Sequence, residues 1–248
     1  MKTPAPKKTA APAAAAPPPP RRVLLIDDHP FMRAGLAQLI NAQRDLIVCG
    51  EAGNPSEAFR SLAPVKPDLV LSDLTMPGRS GLEFIKDLKA VEPNLAVLVV
   101  SMHDEVVFAE RALRAGARGY IMKEAGGENL LAAIRQVLRG EVYVSPRMSS
   151  RILNDLAARR PRGSTSPIER LTDREFEVFQ LIGQGKSTRD IAEQLHLSSK
   201  TVDVHRSHLK AKLGLKGATA LIRHAVRWVE TQSVESSSPS PEQALRRI

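Results

Sequence analysis

Asp27 and Asp28 end the apolar run Val23-Leu24-Leu25-Ile26, and Asp73 ends a second run at 68–72. Ser101 closes a third run at 95–100, and Lys123 closes a fourth, Tyr120-Ile121-Met122. Three carboxylates, a hydroxyl and an ammonium thus stand at the ends of four separate apolar runs. If these ends converge, the set can hold a divalent cation and accept a phosphoryl group on an acidic side chain. Mg2+ prefers one or two carboxylates, several waters and phosphate oxygens to a full protein cage. Asp28 and Asp73 suit direct ligands, Asp27 acts through water, and the backbone carbonyl of Thr75 adds an oxygen. Clustered carboxylates repel one another, so a cation is nearly required when all are ionised. Lys123 offers a point charge to phosphate oxygens, and Ser101 a hydrogen bond to a phosphoryl group.

Convergence requires a particular scaffold. Strand-like runs near 22–27, 46–52, 68–73, 95–101 and 118–122 alternate with helical patterns near 30–42, 55–62, 81–91, 104–115 and 127–139. Gly116 and Gly140 are placed to end the last two helices. Five βα units with short connections predict a doubly wound parallel sheet of flavodoxin-like order 2-1-3-4-5, whose strand carboxyl ends meet at one edge. Each residue taken alone has a plainer reading. Asp27 or Asp28 can cap a helix beginning at Pro30, and Asp73 can be a turn carboxylate. Lys123 can be a solvated lysine and Tyr120 a half-buried sheet aromatic. Their conjunction at successive strand ends favours the site.

The chain has 248 residues, 42% of them hydrophobic, enough for one large or two ordinary domains. A single cysteine, Cys49, excludes a disulfide framework and fits a reducing compartment. No apolar run reaches membrane-helix length, and prolines interrupt the alanine-rich N-terminus, so a cytoplasmic protein is expected. Residues 1–20 form a Pro/Ala arm with three lysines, expected to be disordered. The net charge of +9 is uneven: residues 146–230 carry 16 Lys/Arg against 9 Asp/Glu, while 21–145 is nearly neutral. The second half is therefore the part expected to meet a polyanion. Residues 146–169 read as a linker with a short helix at 152–157 and a basic stretch at 159–167, and residues 231–248 as a polar tail.

Between 170 and 230 the pattern is helical only. Thr172 with Glu175 forms a capping-box pattern ahead of the apolar stripe Phe176, Val178, Phe179 and Ile182. A short helix at 188–195, a turn at 196–198 and a longer helix at 199–213 give helix, turn, helix, with the second helix shaped for the major groove. Val202, Leu209 and Leu213 are the expected inward positions. Arg189, Ser199, Lys200, Thr201, Asp203, Val204, His205, Arg206, Ser207, Lys210 and Lys212 are the candidate contacts to phosphates and base edges. A solvated basic face is the plain alternative, against which the turn chemistry and domain charge both argue. His205 and His208 are read as phosphate contacts or packing rather than metal ligands.

Residues 22–140 resemble the receiver domain of two-component response regulators through Asp27-Asp28, Asp73 in Asp-Leu-Thr-Met-Pro-Gly-Arg-Ser-Gly, Ser101, Tyr120 and Lys123. Residues 170–230 are similar to the LuxR-type helix-turn-helix through Leu-Thr-Asp-Arg-Glu, Ile191-Ala192, Ser199-Lys200-Thr201-Val202, His205 and Lys212-Leu213. Together they resemble the NarL/FixJ subfamily. The resemblance implies an α/β receiver at 21–145 joined by a linker to an all-α, four-helix DNA-binding domain at 170–230. It implies phosphorylation of Asp73 by a sensor histidine kinase with Mg2+, and Ser101 and Tyr120 as a switch pair in which Tyr120 rotates inward. It further implies binding to double-stranded promoter half-sites as a homodimer, with RNA polymerase among candidate partners. Three departures stand out: Glu124 where many receivers have proline, Asp203 where many relatives have lysine, and Thr188 where many have asparagine. A dedicated phosphotransfer enzyme would need a catalytic domain for which no segment is left over. A regulator that binds DNA constitutively is the remaining alternative. Two inactive states stay open, a recognition helix masked by the receiver and a monomer.

Overall fold

The computed structural model describes residues 18–76, 80–157 and 167–236. The expectations for most of the N-terminal arm, for the basic linker and for the end of the tail lie outside these residues, as do Pro77, Gly78 and Arg79 of the Asp73 motif.

Five parallel strands, β1 (Arg21–Ile26), β2 (Leu46–Ala52), β3 (Leu69–Ser72), β4 (Ala96–Ser101) and β5 (Gly119–Met122), form one sheet in the order β2-β1-β3-β4-β5. Between them run α1 (Pro30–Asn41), α2 (Pro55–Val65), α3 (Gly81–Val91) and α4 (Glu105–Ala115), with α5 (Gly127–Leu138) after β5. The expected fold is the one observed, and the expected boundaries hold to within a residue or two, except that α2 continues to Val65. β3 and β4 are buried along their whole length, which is why they read as unbroken apolar runs rather than as alternation. Side chains of β1 still sort by parity: Leu24 and Ile26 join one buried cluster, Val23 and Leu25 the other. Gly116 ends α4 in the left-handed region at φ 108°, which a residue with a Cβ adopts only at a cost.

Two segments differ from expectation. The linker begins as a full helix, α6 (Pro146–Ala157), because Pro146 suits a first helical turn and the Ser145 hydroxyl accepts from Met148 N–H at 3.1 Å. Met148 is buried, and α6 packs on α4. The last helix, α10 (Ala218–Ser236), runs into the segment expected to be a tail, since neither glycine nor proline interrupts the chain between Gly217 and Pro239.

The helical half contains α7 (Asp173–Gly183), α8 (Thr188–Gln194), α9 (Ser199–Leu213) and α10. The capping box forms as its spacing predicts: Glu175 N–H donates to Thr172 Oγ1 at 3.3 Å, and Thr172 N–H donates to Glu175 Oε2 at 2.8 Å. Val202 and Leu209 are fully buried, and Leu213 packs against the same cluster. At the α7–α10 crossing, a Cβ on Gly183 would lie 2.5 Å from the Ala225 carbonyl oxygen, so only glycine permits that approach.

One apolar cluster spans both halves. It runs from Val97 and Phe84 through Phe108 to Phe176, Phe179 and Leu221. Phe108 and Phe176 meet edge to face at 5.4 Å between centroids.

Candidate functional site

The carboxyl ends of β1, β3 and β5 bring Asp27, Asp73 and Lys123 into contact. Lys123 Nζ donates to Asp27 Oδ2 at 2.6 Å and to Asp73 Oδ2 at 2.7 Å, with all three side chains buried. Asp27 serves both Lys123 and the chain ahead of α1: its Oδ2 accepts from Lys123 and its Oδ1 from His29 N–H at 2.8 Å, while His29, which precedes α1, makes no side-chain capping bond. The loop after β3 folds tightly back on itself. Leu74 N–H donates to Asp73 Oδ1 at 2.6 Å and Thr75 N–H to the same oxygen at 3.3 Å. Gly81 N–H reaches the Leu74 carbonyl, and a Cβ on Gly81 would lie 2.5 Å from Leu74 Cα, which accounts for the glycine eight residues after Asp73. Burial pushes the Asp73 carboxyl upward, and the Lys123 ammonium pulls against it.

Asp27, Asp28, His29 and Asp73 each place a ligand atom within 4.8 Å of the others. Three hard carboxylate donors at this spacing fit Mg2+. The fourth member, His29, was not foreseen. Its Nδ1 lies 2.7 Å from Asp28 Oδ1 and 3.2 Å from Asp27 Oδ1.

Ser101 is fully buried, and its hydroxyl accepts from His103 N–H at 3.2 Å. Tyr120 is also fully buried, its hydroxyl donating to the His103 carbonyl at 2.7 Å. The inward rotation expected on phosphorylation is thus already present, with the His103 carbonyl as the acceptor that holds it. The His103 ring stacks against Phe108 and pairs with Thr75 Oγ1 at 2.8 Å. Burial, and then Lys123, lower its pKa to about 4, so it is a neutral element of the wall.

The helical domain sits over this pocket through α7. Ser80 Oγ donates to Glu177 Oε1 at 2.6 Å, and Arg174 holds the other Glu177 oxygen at 2.7 Å. Asp173 receives Lys86 at 2.6 Å and Arg111 at 3.3 Å. Arg111 also donates to the Ile168 and Leu171 carbonyls and lies 3.8 Å over the Phe176 ring. His196 Nε2, in the turn before α9, lies 3.3 Å from Asp28 Oδ2. Sequence periodicity identified the apolar stripe of α7 but not this second face, because buried polar residues leave no periodic apolar signal.

The receiver-like half therefore covers α7, while the outer residues of α9 stay exposed. Ser199, Lys200, Asp203, Val204 and Ser207 are exposed on α9, and Arg189 is exposed on α8. Four expected contact residues are engaged within the domain, Ser207 among them through its hydroxyl, which donates to the Asp203 carbonyl at 3.0 Å. Lys212 Nζ lies 2.6 Å from Glu175, Arg206 donates to Thr188 Oγ1 at 3.2 Å, and Thr201 shares a hydroxyl contact with Ser198 at 2.8 Å. Burial opposes ionisation of Glu175, but Lys212 and Thr172 hold its carboxyl below the usual range. His205 is half-buried, and burial lowers its pKa. Lys210 is half-buried on the same helix and, like Lys200, has no ion-pair partner among the described residues.

The sequence matches the response regulator receiver domain over residues 23–135 and the bacterial regulatory proteins of the luxR family over residues 169–225. The oxygen regulatory protein NreC of Staphylococcus aureus is 36% identical over 207 residues, 82% of this chain and 95% of the relative. A LuxR-family two-component response regulator from Aurantimonas sp. SI85-9A1 shares 33% identity at a TM-score of 0.52, covering 56% of this chain and 99% of that one. RcsB from Salmonella enterica serovar Typhimurium, bound to promoter rprA in the presence of phosphomimetic BeF3-, shares 25% identity at a TM-score of 0.56. That match covers 84% of this chain and 98% of the RcsB chain. No helix among the described residues is long and apolar enough to cross a membrane.

Proposed function

The chain belongs to the two-component response regulators of the LuxR family, and from that premise we propose that phosphorylation of Asp73 by a sensor histidine kinase governs when it acts on promoters. The observation that carries this reading is Lys123 bridging Asp27 and Asp73 at the strand edge. In the transfer, an Asp73 carboxylate oxygen attacks phosphorus as the bond from phosphorus to the kinase histidine nitrogen breaks, and the imidazole leaves. Lys123 is placed to meet the incoming phosphoryl oxygens, exchanging part of its pairing with Asp73. Asp27, Asp28, Asp73 and the Thr75 carbonyl would hold Mg2+, whose charge offsets that of the phosphoryl group. Ser101 supplies a hydroxyl to the new dianion, and the buried Tyr120 senses the resulting shift of the loop through the His103 carbonyl.

The exposed face of α9 supplies the contacts to double-stranded DNA: Lys200 and Lys210 to phosphates, Asp203, Val204 and Ser207 to base edges. Arg189, Ser199, Thr201, His205, Arg206 and Lys212 support its register on the backbone. Pairs of half-sites are read by a homodimer, with RNA polymerase a further partner, in the cytoplasm. The domain limits that support this division are 21–145 and 170–230. The only bond chemistry assigned is the gain and loss of phosphoryl at Asp73.

Incubation with acetyl phosphate and Mg2+ tests the reading. Wild type is expected to take up phosphoryl and change its affinity for promoter DNA, and Asp73→Asn is expected to do neither. A second reading, DNA binding independent of phosphorylation, is favoured by one observation, the open outer face of α9. Equal promoter affinity with and without phosphodonor would select it.

A further inference from the structure

A helix in the major groove reads sequence with the donors and acceptors it holds outward. α9 contains no asparagine or glutamine, and its single arginine, Arg206, is half-buried and donates to Thr188 Oγ1 at 3.2 Å. The arginine, asparagine and glutamine pairings that read guanine or adenine bidentately are therefore missing from its outer face. That face is built from Lys200, Asp203, Val204, Ser207 and Ala211, all exposed and set at helical spacing. Ser207 spends its hydroxyl hydrogen on the Asp203 carbonyl at 3.0 Å, which leaves its oxygen free only to accept. The Asp203 carboxylate has no ion-pair partner among the described residues. Val204 is 46% exposed. The middle of the face thus presents two acceptors and an isopropyl group.

Such a face discriminates among bases. Guanine shows the major groove only acceptors, O6 and N7, and thymine shows an acceptor and a methyl group. Adenine shows its N6 donor beside the N7 acceptor, which a carboxylate would meet at close range. Cytosine shows its N4 donor with no acceptor next to it. A carboxylate therefore ranks cytosine first and guanine last. Facing a polyanion, it also opposes binding to every sequence, so its gain is confined to a duplex that donates to it.

We propose that Asp203 sets the base preference of α9, accepting from the N4 amino group of one cytosine in each half-site and excluding guanine at that step. Val204, the next residue, packs on a thymine methyl at an adjoining step. Lys200, one turn nearer the start of α9, offsets the carboxylate against the phosphates. The proposal rests on the reading that the outer face of α9 meets double-stranded DNA.

The test selects duplexes from a randomised pool with the full chain, with and without acetyl phosphate and Mg2+, then titrates the selected duplex and its single-base variants. Wild type is expected to select a half-site containing one cytosine whose exchange for guanine weakens binding about tenfold. Asp203→Ala is expected to lose that preference and keep the rest of the half-site. Asp203→Lys is expected to select guanine at the same step. Asp203→Asn keeps an accepting oxygen, so it is expected to retain cytosine while binding every duplex more tightly. Position 203 is exposed, and each variant is expected to melt with wild type. If Asp203→Ala and Asp203→Lys select the wild-type half-site while Lys200→Ala or Val204→Ala alters selection or affinity, the cytosine proposal is overturned and the reading of α9 stands. Wild-type selection of adenine at the step that responds to position 203 overturns it equally. If no α9 variant changes selection or affinity, both fall together.

Discussion

α7 and α9 belong to one small domain and are both rich in charged and polar residues, yet they use them in opposite ways. On α7, Asp173, Arg174, Glu175, Glu177 and Gln180 are all buried, and every ion among them has a partner at hydrogen-bonding distance. On α9, Lys200, Asp203 and Ser207 face outward, and Lys200 and Lys210 are unpaired among the described residues. Desolvated charge survives in a fold only when it is matched, whereas a charge left in water remains available to a ligand. The same residue types therefore mark a closed internal interface on one helix and a binding surface on the next.

The largest effect is expected where matching is broken. Glu177→Ala leaves the Arg174 guanidinium buried with only the Leu195 carbonyl, and should cost about 3–5 kcal/mol, read as a lower midpoint of urea unfolding. An unchanged midpoint would mean that the α7 face is wetter than its geometry indicates. Next comes Arg111→Ala, which removes the bonds to Ile168, Leu171 and Asp173 and the contact with Phe176. It should weaken domain closure by roughly 1–3 kcal/mol, seen as a larger radius of gyration with the secondary structure intact. Smaller again is the loss of Lys200 and Lys210 to alanine. Each should flatten the slope of log affinity against log salt by about 0.9, weakening binding to all sequences alike without altering stability or domain spacing. The smallest change is Asp203→Asn, which removes an exposed negative charge facing DNA and should tighten binding roughly threefold. If α9 variants moved the domains or α7 variants altered the salt slope, the division between the helices would fail.

The scaffold was legible in the sequence because its signals are local. Unbroken apolar runs mark β3 and β4, Gly116 marks a helix end, and Thr172 with Glu175 marks a helix start. The convergence of Asp27, Asp73 and Lys123 followed from topology, since parallel strands place their carboxyl ends together. What stayed hidden depends on partners far away in the chain. Ser80 and Glu177 are 97 residues apart, and nothing in either neighbourhood announces the other. His29 and His196 read as ordinary polar residues until Asp28 is seen between them. Tyr120 was expected to need a phosphoryl group before turning inward, because its acceptor, a backbone carbonyl, carries no sequence signature. The α6 helix begins six residues before the expected start at Ile152, although Pro146 after Ser145 is a start signal in plain view.

The edge-to-face stacking of Phe108 on Phe176 joins the interiors of the two halves into one hydrocarbon phase. Heat applied to the closed chain should therefore register as a single cooperative endotherm rather than two, because neither half can loosen without exposing the ring that the other covers. Anything that parts the halves must accept that wetting, set against the same reserve that keeps the closed chain whole.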